Sequence, residues 1–257
     1  MLLGKKVAIV TGAAQGIGKA IALALGREGA DVVVADLQLG KVKEVAQEIE
    51  RMGKRSLAIQ SDVTIYKQVE EMVEKTIDQF GKVEILVNNA GINRLAKVVD
   101  MTEKDWDDIL AVNTKGVFLC SQTAARKMIE RGSGCIINMA SNCGGVARVD
   151  LGAYCASKAA TIHLTRVMAL ELAKYGIRVN AVCPGSTESE MQRDMQQRLG
   201  LQGKIVQGDL KIFRTGIPLG KMAAPEDQAA MVVYLASEAA KHITGQAYYV
   251  DGGQTML

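Results

Sequence analysis

The chain has 257 residues, of which 48% are hydrophobic and 23% charged, with a formal net charge of +3. That length admits one large domain or two small ones, and the apolar fraction is ordinary for a chain that buries a core. The scattered, nearly balanced charge argues against a nucleic-acid partner, and no run approaches the roughly 18 apolar residues of a membrane span, so no membrane partner is expected either.

In chain order, short apolar runs alternate with longer amphipathic stretches. Val7-Ala8-Ile9-Val10 predicts a buried strand, and Gly16 to Arg27 a helix. Val32 to Ala35 predicts a second strand, Val42 to Met52 a second helix, Leu57 to Ile59 a third strand and Gln68 to Gln79 a third helix. Ile85 to Val87 is the fourth strand, followed by one long helical region from Glu103 towards Arg131. Cys135 to Ile137 is the fifth strand, then comes a helix from about Ala153 to Lys174, stopped by Gly176. Val179 to Val182, a variable region, a helix after Pro225 and a last strand at Tyr248 to Val250 complete the chain. Seven strands separated by helices imply parallel β-α-β units in a sheet covered on both faces. No linker-like stretch and no internal repeat divides residues 1–257, so the expectation is a single doubly wound α/β domain.

The five cysteines are odd in number and none forms a CxxC pair, which reads as reduced thiols. The two histidines lack spacing to any cysteine, so no metal site is expected. The run from Met1 to Lys6 lacks the apolar core of a signal peptide, which points to a cytoplasmic, soluble protein.

Two patterns carry chemistry. In Thr11-Gly12-Ala13-Ala14-Gln15-Gly16-Ile17-Gly18 the glycines follow a strand and open a helix. Free N–H groups and the helix dipole favour phosphate there, and glycine lets the backbone approach it. Asp36, closing the second strand, can accept hydrogen bonds from adenosine ribose hydroxyls, while Asp62 and Val63 end the third strand within reach of an adenine. The second pattern is Tyr154 and Lys158, four apart and on one helix face. A free phenol has a pKa near 10, and a nearby cation lowers it, so the pair is a candidate acid/base for an alcohol and its carbonyl.

With Asn88-Asn89-Ala90-Gly91, Asn113, Ser141, Pro184-Gly185 with Thr187, and Val250-Asp251-Gly252-Gly253 in order, the chain resembles the short-chain dehydrogenase/reductase family almost end to end, in the branch about as long as this chain. The resemblance implies a Rossmann-type fold with a seven-stranded parallel sheet, and NAD as cofactor. It implies Tyr154 as general acid/base, Lys158 lowering its pKa and holding the nicotinamide ribose, and Ser141 on the substrate oxygen. Asn113 would support a water leading to Lys158. Gly12, Gln15, Gly16, Ile17, Gly18, Asn89, Ala90 and Gly91 would line the cofactor groove, Pro184 and Gly185 would shape the nicotinamide wall, and Thr187 would bind the carboxamide.

Specificity belongs on loops at the carboxyl ends of the strands. The candidate substrate contacts there are Asn93, Arg94, Asn142, Cys143 and Arg148. The segment at about 186–216, rich in Met and Gln with Gly200, Gly203 and Gly208 as hinges, predicts a mobile helical lid over a small-molecule substrate. Some residues look like the dihydrodihydroxybenzoate dehydrogenase branch, others like sugar-alcohol dehydrogenases. The expected activity is therefore NAD-dependent dehydrogenation of a polyol, sugar or cyclic diol. The 3-oxoacyl carrier-protein reductases share the framework, although Asp36 counts against their usual NADP. A non-catalytic NAD-sensing protein is the alternative outside enzymes. The helices around Val117 to Met128 and Ala159 to Leu172 carry more apolar residues than one buried stripe needs, so a homo-oligomer, a tetramer, is expected.

Overall fold

Val7–Thr11 (β1) runs Val-Ala-Ile-Val-Thr, and all five residues are buried. A strand so continuously apolar must be covered on both faces, which is the condition of a parallel sheet. The computed structural model describes residues 1–201 and 203–256. In chain order the elements after β1 are α1 (Gly16–Arg27), β2 (Asp31–Asp36), α2 (Leu39–Arg51), β3 (Ser56–Gln60), α3 (Tyr66–Phe80) and β4 (Ile85–Asn88). There follow α4 (Glu103–Leu110), α5 (Val117–Arg131), β5 (Gly134–Met139), α6 (Gly152–Leu172), β6 (Ile177–Pro184), α7 (Glu190–Arg198), β7 (Gly208–Asp209), β8 (Arg214–Thr215), α8 (Pro225–Ala236) and β9 (Ala247–Val250). Seven strands form one sheet in the order β3-β2-β1-β4-β5-β6-β9, all parallel. β7 and β8 form a separate short antiparallel hairpin.

Alternation along the strands divides the core in two. Ala8 and Val10 face α1, α2 and α8, where Ile21, Leu25, Val42, Ile49, Val232 and Leu235 are buried. Val7 and Ile9 face α3, α5 and α6, where Val69, Met72, Leu119, Met128 and Leu172 are buried. β1 pairs with β2 on one side and β4 on the other. The chain thus reverses direction across the sheet at β1, and a crevice opens beyond the carboxyl ends of β1 and β4, the usual ligand position in such sheets.

Two elements differ from the sequence expectation. The helical region from Glu103 to Arg131 is interrupted by a π turn at Ala111–Gly116. The wide turn carries Asn113, whose amide bonds the backbone of Ile92, and Gly116, where a Cβ would stand 2.8 Å from Val63 Cγ2. α6 ends at Leu172 and tightens into a 3-10 turn over Ala173–Tyr175 before Gly176, which has φ +70°.

Candidate active site

A cavity of about 430 Å³ lies at the carboxyl ends of the central strands. At one end the glycine-rich turn forms its floor. A Cβ on Gly12 would stand 2.7 Å from Ala90 Cα, and one on Gly18 would collide with Gly12 O and Asn89 Nδ2. Those two glycines are required by close backbone approach. Gly16, at φ +56°, is different: a Cβ there would meet only Ser189 Cβ, at 3.6 Å. It faces the cavity across α7's entry. α1 has no side-chain hydrogen bond at its N-cap, Gln15, so its first N–H groups are free for a ligand phosphate. This cradle fits a dinucleotide diphosphate. Gln15 and Ile17 line it, and Gln15 Oε1 accepts from Lys41 Nζ at 2.6 Å.

The cavity end at β2 and β3 is equally ordered. Asp36 Oδ2 accepts from Ala14 N at 3.2 Å and Oδ1 from Gln38 N at 3.1 Å. The carboxylate is fixed at the end of β2 with lone pairs left on the cavity wall. Asp62 Oδ1 accepts from Thr64 N at 2.9 Å and Thr64 Oγ1 at 2.7 Å, an Asx turn that sets Asp62 and Val63 against the same cavity. Asn89, Ala90 and Gly91 also line it. The Asn89 amide, however, is spent on the loop: Nδ2 donates to Thr11 O at 3.1 Å and Gly12 O at 2.9 Å.

The catalytic candidates converge from three elements. Lys158 and Tyr154 lie on one face of α6, with Lys158 Nζ 5.7 Å from the Tyr154 ring centroid. Lys158 is 4% exposed, and Nζ donates to Met139 O at 2.8 Å. Burial pushes its pKa down to about 8. Burial pushes the Tyr154 phenol up, and Cys143 adds to the rise, while the Ser141 hydroxyl pulls it back. Burial therefore outweighs the lowering of the phenol that the Tyr/Lys spacing predicts. Ser141, beyond the end of β5, lines the cavity and accepts from Cys143 N at 3.2 Å. Asn113 lies behind this set rather than on the cavity wall. Its Oδ1 accepts from Ile92 N at 2.9 Å, its Nδ2 donates to Ile92 O at 2.9 Å and Ser157 Oγ at 3.0 Å, and its carbonyl accepts from Thr161 Oγ1. It clamps the loop after β4 to α6.

Of the substrate candidates, Asn93, Asn142, Cys143 and Arg148 line the cavity. Arg94 does not. Its exposed guanidinium turns outward, with Nε 3.8 Å from Asp105 Oδ1 and Nη1 donating to Asn93 O at 3.0 Å. The acidic first turn of α4 draws it there. Pro184, Gly185 and Thr187 line the far wall. The Thr187 hydroxyl donates to Gly185 O at 3.1 Å and accepts from Gln228 Nε2 at 3.1 Å, so its hydrogen is committed within the fold. Cys155, the Ser141 hydroxyl and the nearby Arg148 and Arg214 pull the Cys143 thiol below its usual pKa against the effect of burial. The sequence reading did not assign Ser186, Gln192 or Arg214 to the pocket, yet all three line it. A cation in the 186–216 segment was visible, but nothing in its spacing shows that the hairpin turns Arg214 inward. Residue 202 of that segment lies outside the described residues.

The model of a family described as enoyl-(acyl carrier protein) reductase matches residues 12–255. A 2,3-dihydro-2,3-dihydroxybenzoate dehydrogenase from Bacillus subtilis is 38% identical over 251 residues, covering 98% of this chain and 96% of that protein. A 3-oxoacyl-(acyl-carrier-protein) reductase from Staphylococcus aureus is 42% identical over 252 residues, 98% of each chain. A sorbitol dehydrogenase from Cereibacter sphaeroides is 39% identical over 258 aligned positions, the whole of both chains. Among solved structures, a short-chain type dehydrogenase/reductase from Mycobacterium marinum superposes with a TM-score of 0.91 at 38% identity, covering 99% of this chain and 97% of that one. A levodione reductase gives a TM-score of 0.93 at 28% identity, with 99% of each chain covered.

Proposed function

The chain belongs to the short-chain dehydrogenase/reductase family, and on that premise we propose that it is an NAD(H)-dependent oxidoreductase interconverting a secondary alcohol and its ketone. The substrate class is a polyol, sugar or cyclic diol. One observation carries this reading: the Tyr154 phenol and Lys158 ammonium share a face of α6 at the cavity whose other end holds the uncapped α1 N-terminus and Asp36.

A bound nicotinamide dinucleotide would supply the hydride acceptor or donor. The α1 N-terminus would hold its diphosphate, Asp36 its adenosine ribose, and the Pro184–Thr187 wall its nicotinamide end. Tyr154 takes the proton of the reacting hydroxyl during oxidation and returns it during reduction. The Ser141 hydroxyl holds that oxygen in place. Lys158 favours the phenolate by its charge and would also hold the nicotinamide ribose. Asn113 positions this set by tying Ile92 to α6, and its carbonyl keeps a lone pair for a water on the way to Lys158. Phe118, Val167 and Leu170 are exposed on α5 and α6, which supports a homotetramer paired through those helices, and the five free cysteines suit a reducing cytoplasm.

The test is NADH formation from a panel of cyclic diols, polyols and hydroxy acids at alkaline pH, with the wild-type chain and Tyr154→Phe. Turnover that vanishes in the variant supports the reading. No turnover on any alcohol, with NAD still bound, would favour a non-catalytic NAD-binding role. The 42% identity to a 3-oxoacyl thioester reductase favours a second reading, which predicts NADPH-dependent reduction of an acetoacetyl thioester. Asp36 weighs against it.

A further inference from the structure

Two cations converge on the part of the cavity next to Ser141 and Tyr154. Arg148 comes from the loop after β5 and Arg214 from β8, and both line the cavity beside Cys143. Arg214 is 7% exposed. Its Nη2 donates to Ser186 Oγ at 3.0 Å, whereas its Nε is buried with no partner. Arg148 Nη2 is likewise buried and unpartnered. Among the described residues neither guanidinium forms an ion pair with a carboxylate. The charges that face Arg214 are Arg148, which opposes it, and Cys143, which favours it.

Arginine keeps its proton in proteins, and a buried unpaired charge with idle donors is costly. Two such groups side by side are costlier still, unless an anion occupies the space between them. Cys143 cannot serve both: even as a thiolate it would bring one negative charge to two guanidiniums and leave the cluster positive. Gln192 Nε2 and Asn93 Oδ1, whose residues line the same cavity, are two further buried polar atoms without partners. Gln192 Nε2 can donate to a hydroxyl of the same ligand, and Asn93 Oδ1 can accept from one. A planar carboxylate matches the planar guanidinium forks.

We infer that Arg148 and Arg214 form a carboxylate-binding subsite, so that the alcohol this chain oxidises is a hydroxylated carboxylic acid with its carboxylate close to the reacting carbinol. The inference rests on the oxidoreductase reading for its substrate, but the subsite itself can be tested without turnover. Benzoate, benzamide and phenyl phosphate are titrated into the NAD-loaded protein by calorimetry at low salt. The same is done with Arg148→Met, Arg214→Met and Arg214→Lys. Benzoate is expected to bind more tightly than benzamide or phenyl phosphate, and to weaken about tenfold or more in each Met variant, since one charged hydrogen bond is worth that much. Arg214→Lys should retain part of the affinity, and NAD binding should be unchanged throughout. In turnover, the preference for 3-hydroxycyclohexanecarboxylate over its carboxamide should fall by a similar factor in the Met variants.

Equal binding of benzoate and benzamide to the wild type, benzoate affinity unchanged by both Met substitutions, or tighter binding of phenyl phosphate would each overturn the subsite. Should Arg214→Met fail to fold, Arg148→Met decides, because that side chain sits on a partly exposed loop. If no alcohol of the panel is oxidised while benzoate still discriminates, the dehydrogenase reading fails and the anion site stands. If both are oxidised equally and benzoate does not compete, the reverse holds.

Discussion

Tyr154 sits deep enough that burial lifts its pKa, against the pull of Ser141. Phenolate is therefore scarce at neutral pH, and oxidation, which needs a proton acceptor, should speed up as pH rises above 7. Lys158, depressed to about 8 by burial, loses its charge over the same range and with it the attraction that favours phenolate, so the climb should flatten beyond that value. Reduction, which needs the protonated phenol, should vary little between about pH 6 and 8. Profiles of kcat/KM in both directions check this, and an oxidation rate flat from neutral to strongly alkaline pH would remove Tyr154 as the titrating group. Tyr154→Phe should lower kcat by about a hundredfold to ten-thousandfold with NAD affinity kept; near wild-type kcat would sink the mechanism. Asp36, fixed by two backbone N–H groups, would repel a 2′-phosphate at short range. NAD should thus be preferred over NADP in kcat/KM, and Asp36→Ala should narrow the gap. Equal use of both cofactors by the wild type would refute the assignment.

The segment that carries α7 and the β7–β8 hairpin has an apolar cluster of its own, built on Leu201, Ile205 and Ile217 with Leu199, Val206, Ile212 and Met222. It is separate from the two cores that flank the sheet, as a lid moving as a unit would require. Of the three glycines expected to act as hinges, Gly208 is locked, since a Cβ there would stand 2.6 Å from Arg214 O. Gly200 and Gly203, with positive φ and nothing within 4 Å of a Cβ, are left for that duty. Closure of this lid over bound ligands would expel water from the reacting atoms. Hydrogen exchange over 186–216 should slow when NAD and substrate are added together. Full protection without ligands, unchanged by them, would make the segment a rigid wall instead.

At the scale of the whole molecule, the second helical layer leaves apolar side chains uncovered. Phe118 on α5 is 43% exposed, and Val167 and Leu170 on α6 are 38% and 83% exposed. Their neighbours Leu119, Met128, Met168 and Leu172 are buried against the sheet, so the two helices have apolar residues on both sides. Light scattering at micromolar concentration should give the mass of a tetramer. A monomer would show that this face is simply tolerated in water.

What the sequence determined by itself was whatever depends on local pattern. Runs such as Val7 to Val10 identify strands buried on both faces, because only a doubly covered sheet accepts a strand with no polar side. The turn from Gly12 to Gly18 and the Tyr154/Lys158 spacing are legible for the same reason: a helix start and a shared helix face are set within a few residues. Tertiary structure decided what lies opposite those patterns. The chain brings Arg214 back to Ser186 through a hairpin that ends far along the sequence, while Arg94, adjacent to pocket-lining Asn93, is turned away by Asp105. The Asn113 amide is consumed by Ile92, and the Thr187 hydroxyl by Gly185 and Gln228. Burial, not spacing, sets the direction in which Tyr154 and Lys158 shift. Periodicity encodes which side of an element faces inward; which distant side chains meet there, and how much water they lose, is fixed only when the layers pack.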